Sequence, residues 1–206
     1  MNSKSGVIVG LEVHVEVNTN TKLFCGCATK GSEEPNTRTC GVCLGHPGSK
    51  PVLNKKALEY ALKLCLALNC KINRELIFSR KSYFYPDMAK NYQISQYEIP
   101  LGNNGSLKLK NGREIEITRV HMEEDPAALV HPAGMQESAY VLVDYNRSGN
   151  PLLEIVTEPE LESAAEAREF MKQLITILSY LGIFNINQNI IKADANVSIK
   201  ESGFVK

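Results

Sequence analysis

The sequence predicts an α+β fold with a largely antiparallel sheet and flanking helices. Its strand-like runs follow one another as neighbouring pairs rather than alternating regularly with helices, an arrangement that favours antiparallel pairing. Two stretches carry helical periodicity, one in each half of the chain. The 206 residues, 43% of them hydrophobic, are enough to bury a substantial core.

The first predicted strand runs from Val7 to Val17 and alternates almost without error. Apolar side chains occupy the odd positions, while Glu12, His14 and Glu16 occupy even positions. Successive side chains of a strand point to opposite faces, so one face is apolar and the other presents a Glu-His-Glu row. That row is either a solvated surface or the first part of a cation site.

Two amphipathic helices are predicted, at residues 54–68 and 163–180. The apolar stripe of the first consists of Leu58, Ala61, Leu62 and Cys65. The second begins at Ser163, which forms a capping-box pattern with Glu166 three residues later, and Gly182 suits its C-terminal end.

The remaining strands are predicted at Leu107–Lys110, Glu114–Val120, Tyr140–Tyr145, Leu152–Thr157 and Asn196–Ile199. The dipeptide Asn111-Gly112 favours a two-residue hairpin turn between the first two of them. Residues 76–100 show no clear period, and we expect them to be irregular. Because the sequence stops shortly after its last strand, we expect it to be a piece of a longer protein.

Bulk composition narrows the possible environments and partners. Lysine plus arginine and aspartate plus glutamate both number 23, so any nucleic acid must be bound through local patches or with a partner. No apolar run reaches the roughly 18 residues of a membrane span, and no signal-peptide core is present. We therefore expect a cytoplasmic protein without membrane contact, whose six cysteines are reduced thiols or metal ligands.

Four of the cysteines form two close pairs, Cys25-x-Cys27 and Cys40-x-x-Cys43, separated by twelve residues. Two such pairs can supply four thiolates to a tetrahedral zinc ion, and a site with four protein ligands is structural. The alternatives are four unliganded thiols or a redox pair at Cys40 and Cys43. By contrast, Cys65 is predicted, together with Cys70, to be a packed thiol.

Several carboxylates occupy positions that need an explanation. Glu123, Glu124 and Asp125 end a strand together, and Glu154 lies among aliphatic residues in PLLEIV. An ionised carboxylate there is costly unless it is paired, solvated or bound to a metal. Together with the Glu-His-Glu row, these groups are candidate Mg²⁺ or Mn²⁺ ligands, although each one singly is equally explained as a solvated or paired side chain.

The segment at residues 79–96 combines Arg80, Lys81 and Lys90 with four aromatic rings. Such interleaving suits stacking of a base and neutralisation of phosphate, and it is equally explained by rings at a core edge beside solvated cations. The glycine patterns of the P-loop and of the Rossmann turn are absent from the sequence. A nucleotide, if one binds, must therefore use a different kind of site.

Together these segments resemble one family along nearly the whole chain, from residue 6 to 199. The matching blocks are GLEVHVEV, LFCGCA, CGVCLGHPGSKPVLN, RKSYFYPDMAKNYQISQYEIP, HMEEDPA, VDYNRSGNPLLEIVTEP and DANVSI. They resemble the B subunit of the aspartyl/glutamyl-tRNA amidotransferases. The resemblance implies that residues 1–206 are the N-terminal part of a glutamine-synthetase-like catalytic (cradle) domain, with a zinc-binding loop at 25–43. The C-terminal helical and tail domains of that family lie outside these residues.

The resemblance also implies the site residues. Its metal-binding positions fall on His14, Glu123 and Glu154, expected to hold Mg²⁺, and these three form the expected catalytic set with Glu12 and Lys81. The expected substrate- and nucleotide-binding residues are Arg80, Tyr85, Asp87, Gln93, Ser95, Gln96, Asn146 and Arg147. The expected zinc ligands are Cys25, Cys27, Cys40 and Cys43.

The implied reaction has two steps on a misacylated tRNA. ATP phosphorylates the side-chain carboxylate of glutamate or aspartate carried by glutamine or asparagine tRNA, and ammonia then displaces phosphate to give the amide. The implied partners are the A subunit, an amidase that supplies ammonia from glutamine, and the small C subunit. Which tRNA is used is left open, and the 206 residues alone are expected to be inactive.

Two other functions are compatible with the residues. A non-catalytic, zinc-stabilised tRNA-binding or assembly module explains the cysteines and the aromatic segment, but it leaves Glu154 and the Glu12–His14 face without a role. A metal phosphohydrolase would have to hydrolyse small phosphate esters without tRNA. Magnesium-dependent ATP binding separates the first of these from the ligase.

Overall fold

A computed structural model describes residues 6–200, and in that range it shows the predicted α+β architecture. Residues 1–5 and 201–206, the two ends of the predicted domain, lie outside the described residues. Between residues 6 and 200 no helix is long and apolar enough to cross a membrane. The strands and helices are β1 Val7–Glu16, α1 Lys55–Ala67, β2 Lys71–Ile72, β3 Ser79–Ser82, β4 Tyr92–Ser95, β5 Gly102–Lys108, β6 Glu114–Glu124, β7 Ala128–Val130, β8 Leu142–Asp144, β9 Pro151–Thr157, α2 Ala164–Tyr180 and β10 Ile191–Ile199.

Six strands form one sheet in the order β10-β1-β9-β6-β5-β2, and every neighbouring pair is antiparallel. The predicted antiparallel sheet is therefore confirmed. Two separate hairpins, β3–β4 and β7–β8, lie outside this sheet. Because β1 lies between β10 and β9, and β9 lies between β1 and β6, residues from distant parts of the sequence become direct neighbours.

The apolar face of β1 is the centre of the main core, as its alternation predicts. Val13 and Val15 are fully buried and belong to the same apolar cluster as Phe170 and Leu174 of α2. Helix α1 contributes to this cluster through Ala57, Ala61, Leu64 and Cys65. The stripe is thus shifted from the predicted one, since Leu58 and Leu62 are only partly buried. The opposite face of the sheet is left for polar side chains.

An irregularity in β6 sets which of its side chains enter the core. Pairing with β9 shifts register between Ile117 and Arg119, which is the pattern of a β-bulge. Before the bulge odd-numbered residues such as Ile117 are buried in the core, and after it Val120 and Met122 take their place. Consequently His121 and Glu123 face the polar side of the sheet.

Two local predictions are wrong. The segment 76–100 is not irregular throughout, because β3 and β4 pair within it. The loop at Asn111-Gly112 spans three residues: the Gly112 amide donates to Leu109 O at 3.0 Å and the Leu109 amide to Arg113 O at 2.7 Å. Gly112 has φ +88°, whereas Asn111 has no positive φ, so the turn is the type I turn with a following left-handed glycine.

The strand ends also differ from the predicted ones. The strand predicted at Leu107–Lys110 begins at Gly102, and the one predicted at Asn196–Ile199 begins at Ile191. Only Leu142–Asp144 of the predicted Tyr140–Tyr145 strand is extended, paired with the unpredicted β7. These residues form strands because the sheet supplies partners, which local composition does not reveal.

The start of α2 is fixed by both a cap and an ion pair. Ser163 Oγ accepts from the Glu166 amide at 3.2 Å, as the capping box predicts. The Glu166 carboxylate departs from that pattern, because it accepts the Glu162 amide at 2.8 Å instead of the Ser163 amide. The same carboxylate accepts twice from Arg113 Nη1, at 2.9 and 2.8 Å, which ties the β5–β6 hairpin to the helix.

Replacing Glu166 with glutamine should lower the free energy of unfolding by about 1 kcal/mol at pH 7. Burial alone raises the pKa of Glu166, but the Glu162 amide, Asn111 and Arg113 outweigh it and lower that pKa. A carboxylate with a lowered folded pKa stabilises the fold above its unfolded pKa of about 4.3, and this contribution is lost as the pH falls through the folded value.

Urea unfolding followed by circular dichroism at pH 7 and pH 3 measures this effect. The difference between parent and Glu166→Gln should be present at pH 7 and shrink towards pH 3. Glu59→Gln is the control: Glu59 pairs with Lys56 at 3.5 Å on an exposed helix surface, where such pairs contribute little. Equal losses for the two variants would contradict a special role for the Glu166 pair.

Candidate metal and ligand site

The polar face of the sheet brings three acidic and basic side chains into one row. In the antiparallel pairing His14 of β1 lies opposite Glu154 of β9, and Glu154 lies opposite His121 of β6. Side chains directly opposite one another across antiparallel strands are close neighbours. Sheet register therefore assembles, from residues more than a hundred positions apart, a site that no local motif contains.

Glu123, two positions after His121 on the same face of β6, joins His14 and Glu154 in an arrangement that has the geometry of a cation site. His14 Nε2 lies 3.4 Å from Glu123 Oε1 and 3.8 Å from Glu154 Oε2. One ligand atom from each of the three residues can be chosen so that all lie within 4.8 Å of one another. Adjacent ligands of an octahedral cation with bonds of about 2.1 Å lie about 3 Å apart, so small movements suffice to hold Mg²⁺ or Mn²⁺.

His121 keeps the Glu154 carboxylate charged. It is 3% exposed, and its Nε2 lies 3.0 Å from Glu154 Oε2 and 3.8 Å from Glu123 Oε2. Burial alone raises the pKa of Glu154, but the hydrogen bond from His121 and the nearby His14 and Arg119 lower it overall. Burial likewise lowers the pKa of His121, while its bonds to the two carboxylates raise it overall. The site thus offers an ionised oxygen ligand.

A cavity of about 380 Å³ opens beside this row. Its lining includes His14 and Glu123 from the metal candidate, together with three cations. These cations are Lys81 from β3, Arg147 from the turn before β9, and Lys192 from β10. The lining also contains the carboxylates of Glu16, Asp125 and Asp194, so the cavity suits a ligand that brings phosphate groups together with a divalent cation.

Lys81 from the predicted catalytic set lines this cavity, and so do Gln93 and Arg147 from the predicted binding residues. Arg147 is held there, since its guanidinium donates to Pro126 O at 3.0 Å and to Ala127 O at 2.9 Å. It also lies 3.3 Å from Asp125 Oδ2. Burial raises the pKa of Asp125 to about 7, against the opposing effect of Arg147.

Two predicted binding residues, Gln93 and Gln96, hold the β3–β4 hairpin on the sheet. Gln93 Nε2 donates to Glu124 O at 2.6 Å, and Gln96 Oε1 accepts from the Met122 amide at 3.1 Å. Gln96 is fully buried, and Ser95 is 6% exposed. These side chains therefore position the cavity wall that carries Lys81.

Four further predicted residues, Glu12, Arg80, Tyr85 and Asp87, are not among those that line the cavity. Glu12 lies on the polar face, where Asn196 Nδ2 donates to it at 3.4 Å. The exposed Arg80 stacks over Tyr92 at 4.9 Å, and Tyr85 is 54% exposed. Burial raises the pKa of Asp87, whose Oδ1 finds no hydrogen-bond partner among the described residues.

Glu124, the neighbour of Glu123, points the other way and forms a buried ion pair with Lys90. The side chains of the pair are only 4% and 6% exposed. Glu124 Oε2 also accepts from the Ile94 amide at 3.0 Å. Two adjacent glutamates thus have different surroundings, one at the cation candidate and one anchoring the hairpin.

The four predicted zinc ligands converge. Sulfur atoms of Cys25, Cys27, Cys40 and Cys43 lie within 4.8 Å of one another. The Cys40 and Cys43 sulfurs are 4.0 Å apart, close to the roughly 3.8 Å that tetrahedral Zn–S bonds of about 2.3 Å require. The donor set and its spacing fit a structural zinc ion. By contrast, Cys65 and Cys70 are buried in the main core, as predicted.

Lys22 stabilises negative charge at this cluster and was not singled out from the sequence. Its side chain is fully buried, and Nζ lies 3.7 Å from Cys43 Sγ. A hydrogen bond from Cys25 lowers the pKa of Cys43 to about 4, and the Cys40 amide and Lys22 add to this effect against burial. A buried lysine beside thiolates has no signature in local sequence.

Two further residues of the site, His121 and Lys192, were not predicted from the sequence. For His121 the sequence did contain a usable pattern. His121 lies two positions before Glu123, so strand alternation alone places both on one face. Lys192 lay outside the predicted last strand, which begins at Ile191 in the structure. Once that strand pairs with β1, Lys192 stands opposite His14.

Comparison with known proteins agrees with the resemblance drawn from the sequence blocks. The sequence-family model described as the GatB/GatE catalytic domain matches residues 7–206. Proteins described as the B subunit of aspartyl/glutamyl-tRNA(Asn/Gln) amidotransferase are similar to the chain. The one from Carboxydothermus hydrogenoformans is 49% identical over 95% of this chain and 42% of its own length. That from Haloquadratum walsbyi is 52% identical over 93% of this chain and 40% of its own length.

The chain spans about two fifths of the length of the curated relatives that it matches. Within this span the similarity covers every strand and helix of the described structure, including the cysteine cluster and the polar row. The chain belongs to the GatB/GatE catalytic domain family.

Proposed function

We propose that this chain carries the ATP-dependent step of a tRNA-dependent amidotransferase, a ligase of the protein-synthesis machinery. The observation that supports this most is the cluster of His14, Glu123 and Glu154, because the first two of these line the same cavity as Lys81 and Arg147. Phosphoryl transfer needs divalent cations and fixed positive charge around phosphate oxygens, and this arrangement provides for both.

In the proposed reaction each side chain has a distinct task. His14, Glu123 and Glu154 would hold Mg²⁺, which when bound neutralises charge on the phosphate oxygens of ATP. Lys81 and Arg147, which both line the cavity, would attract the transferred phosphoryl group and the substrate carboxylate. His121 holds Glu154 in place at 3.0 Å and keeps it anionic.

The full reaction that we propose needs more than this chain. The acceptor is the side-chain carboxylate of glutamate or aspartate on a misacylated glutamine or asparagine tRNA, and ammonia then replaces phosphate. The A subunit, an amidase, would supply the ammonia, the small C subunit would complete the complex, and the assembly would work in the cytoplasm. The relatives' description as the B subunit of an amidotransferase supports this assignment.

The zinc-stabilised tRNA-binding or assembly module is the second candidate. The cysteine cluster and the exposed rings of Phe84, 81% exposed, and Tyr85 favour it. It gives no reason, however, for burying two carboxylates and His121 together on the sheet beside the half-buried His14. We therefore place it behind the ligase.

Isothermal titration of ATP with and without Mg²⁺ tests the proposal. The chain should bind ATP only with Mg²⁺, and the double variant His14→Ala/Glu154→Ala should lose at least tenfold in affinity, because two of three cation ligands are gone. His131→Ala, on the loop between β7 and β8, is the matched histidine control and should bind like the parent.

A folded parent that binds no Mg·ATP would overturn the assignment of the kinase step to these residues and favour the module. Binding that survives the double variant would place the nucleotide elsewhere. Circular dichroism of every variant establishes that loss of binding is not loss of the fold.

A further inference from the structure

The loop between the two cysteine pairs is fastened to the segment that carries Arg147. Asn36, in this loop, donates from its amide to Asp144 Oδ1 at 3.0 Å and from Nδ2 to Val143 O at 3.1 Å. Its Oδ1 accepts from the Tyr145 amide at 2.8 Å. One residue thus bonds three consecutive residues of the segment. Asn36 has φ +62°, a conformation that asparagine and glycine tolerate best.

Asn146 makes the reciprocal contact from the other side. Its Oδ1 accepts from the Arg38 amide at 2.7 Å, and its Nδ2 donates to Glu34 O at 2.7 Å. The residue is 2% exposed, so these bonds are shielded from water. Because both of its polar atoms are used by the loop, Asn146 supports its neighbour Arg147 and does not itself reach into the cavity.

A third connection runs from the cysteine cluster itself. The ammonium group of Lys22 lies between Cys43 Sγ, 3.7 Å away, and Tyr145 O, 3.3 Å away. Gly149, with φ +82°, leaves room for Cys43, whose Cβ would lie 3.4 Å from a Cβ added at this position. The sulfur cluster and the segment 143–149 are therefore packed without an intervening layer.

The far side of the same segment forms the cavity wall. Arg147 lines the cavity, and the Tyr145 hydroxyl donates to Pro86 O at 2.8 Å in the loop between β3 and β4. The Gly149 amide donates to Asp125 O at 2.8 Å, directly after β6. Segment 143–149 is consequently held between the cysteine loop on one side and the ligand cavity on the other.

We propose that the cysteine loop positions Arg147, and that Asn36 is the positioning residue that transmits the order of the metal cluster to the cavity. Zinc fixes the two cysteine pairs, the loop between them holds Asn36 against residues 143–145, and the segment aims Arg147 at the ligand. The identity of that ligand as Mg·ATP rests on the proposed function, whereas the mechanical link does not.

The test compares Asn36→Gly with Thr37→Ala in the chain that holds zinc. Glycine tolerates the positive φ and removes only the side-chain bonds, while Thr37 bonds within the loop to Ser32 and Glu34. Amide hydrogen exchange at Ser148, Gly149 and Asn150 is measured, because none of these amides bonds Asn36. We expect at least tenfold faster exchange there in Asn36→Gly, and in the parent after zinc chelation, with Thr37→Ala unchanged.

Affinity for Mg·ATP is the second measurement, and it separates the two hypotheses. Asn36→Gly should retain its zinc and bind Mg·ATP several-fold more weakly. If amide exchange at residues 148–150 is unchanged both in Asn36→Gly and in the parent after zinc chelation, the positioning role is overturned, regardless of the affinity for Mg·ATP. If the parent binds no Mg·ATP while exchange responds as expected, the proposed function fails and the link stands.

Discussion

Replacing Glu124 with alanine should lower the free energy of unfolding by about 3 kcal/mol or more, because it leaves the Lys90 ammonium buried without its counter-charge. Both side chains of the pair are almost fully buried, at 4% and 6% exposed. The variant also removes the acceptor of the Ile94 amide and so loosens β4. Urea unfolding followed by circular dichroism measures the loss.

The neighbouring Glu123→Ala variant is the matched control. Glu123 is equally buried, but its partners are the imidazoles of His14 and His121, so its loss does not leave a buried ammonium group without a counter-charge. We expect it to change the unfolding free energy by about 1 kcal/mol or less and to weaken Mg·ATP binding instead. Glu124→Gln, which retains an oxygen acceptor but no charge, should lie between the parent and Glu124→Ala.

If Glu124→Ala is as stable as the parent, Lys90 must reach solvent, and the pair would then contribute no more than a surface ion pair. The contrast between the two adjacent glutamates would disappear in that case. Strand alternation places Glu123 and Glu124 on opposite faces without saying which of them faces the metal candidate; the choice of Glu123 came from the family resemblance, and the pairing of Glu124 with Lys90 was not predicted.

Elements specified by short-range patterns were predictable. The alternation of β1 identified both its buried face and its polar row, and the Ser163 cap located the start of α2. In each case the signal lies within a few residues, where periodicity and capping act. The spacing of the four cysteines likewise predicted a cluster, and their sulfur atoms do converge in the structure.

What depends on pairing across the chain was not predictable. Strand β4 has no alternating pattern that would predict it, because Gln93 and Ser95 are polar yet buried, and Gln93 and the following Gln96 bond to the backbone of β6. The bulge near Arg119 changes which residues of β6 face the core, and no local sequence pattern predicts it. His14 and Glu154 were identified through the family resemblance, but their direct opposition comes from sheet register.

Removing the zinc ion that we predict at the cysteine cluster should have the second large effect on stability. The loop at 25–43 has few large apolar residues, and structural zinc contributes its binding free energy to folding. The loop also bonds the 143–149 segment through Asn36 and Asn146, so part of its order survives without the metal. We expect chelation to cost about 3 kcal/mol, which lowers the unfolding temperature by roughly 6–12 °C for a chain of this size.

Zinc content and thermal unfolding of Cys27→Ala and Cys70→Ala measure this directly. Cys70 lies in the main core, away from the cluster, so Cys70→Ala should keep one zinc ion per chain and remain sensitive to chelator. Cys27→Ala should retain none, unfold at the temperature of the chelated parent and no longer respond to chelator. A parent that is purified without zinc, and whose unfolding temperature a chelator leaves unchanged, would show the four cysteines to be free thiols. The loop's hydrogen bonds to residues 143–146 would then have to hold it in place without a metal.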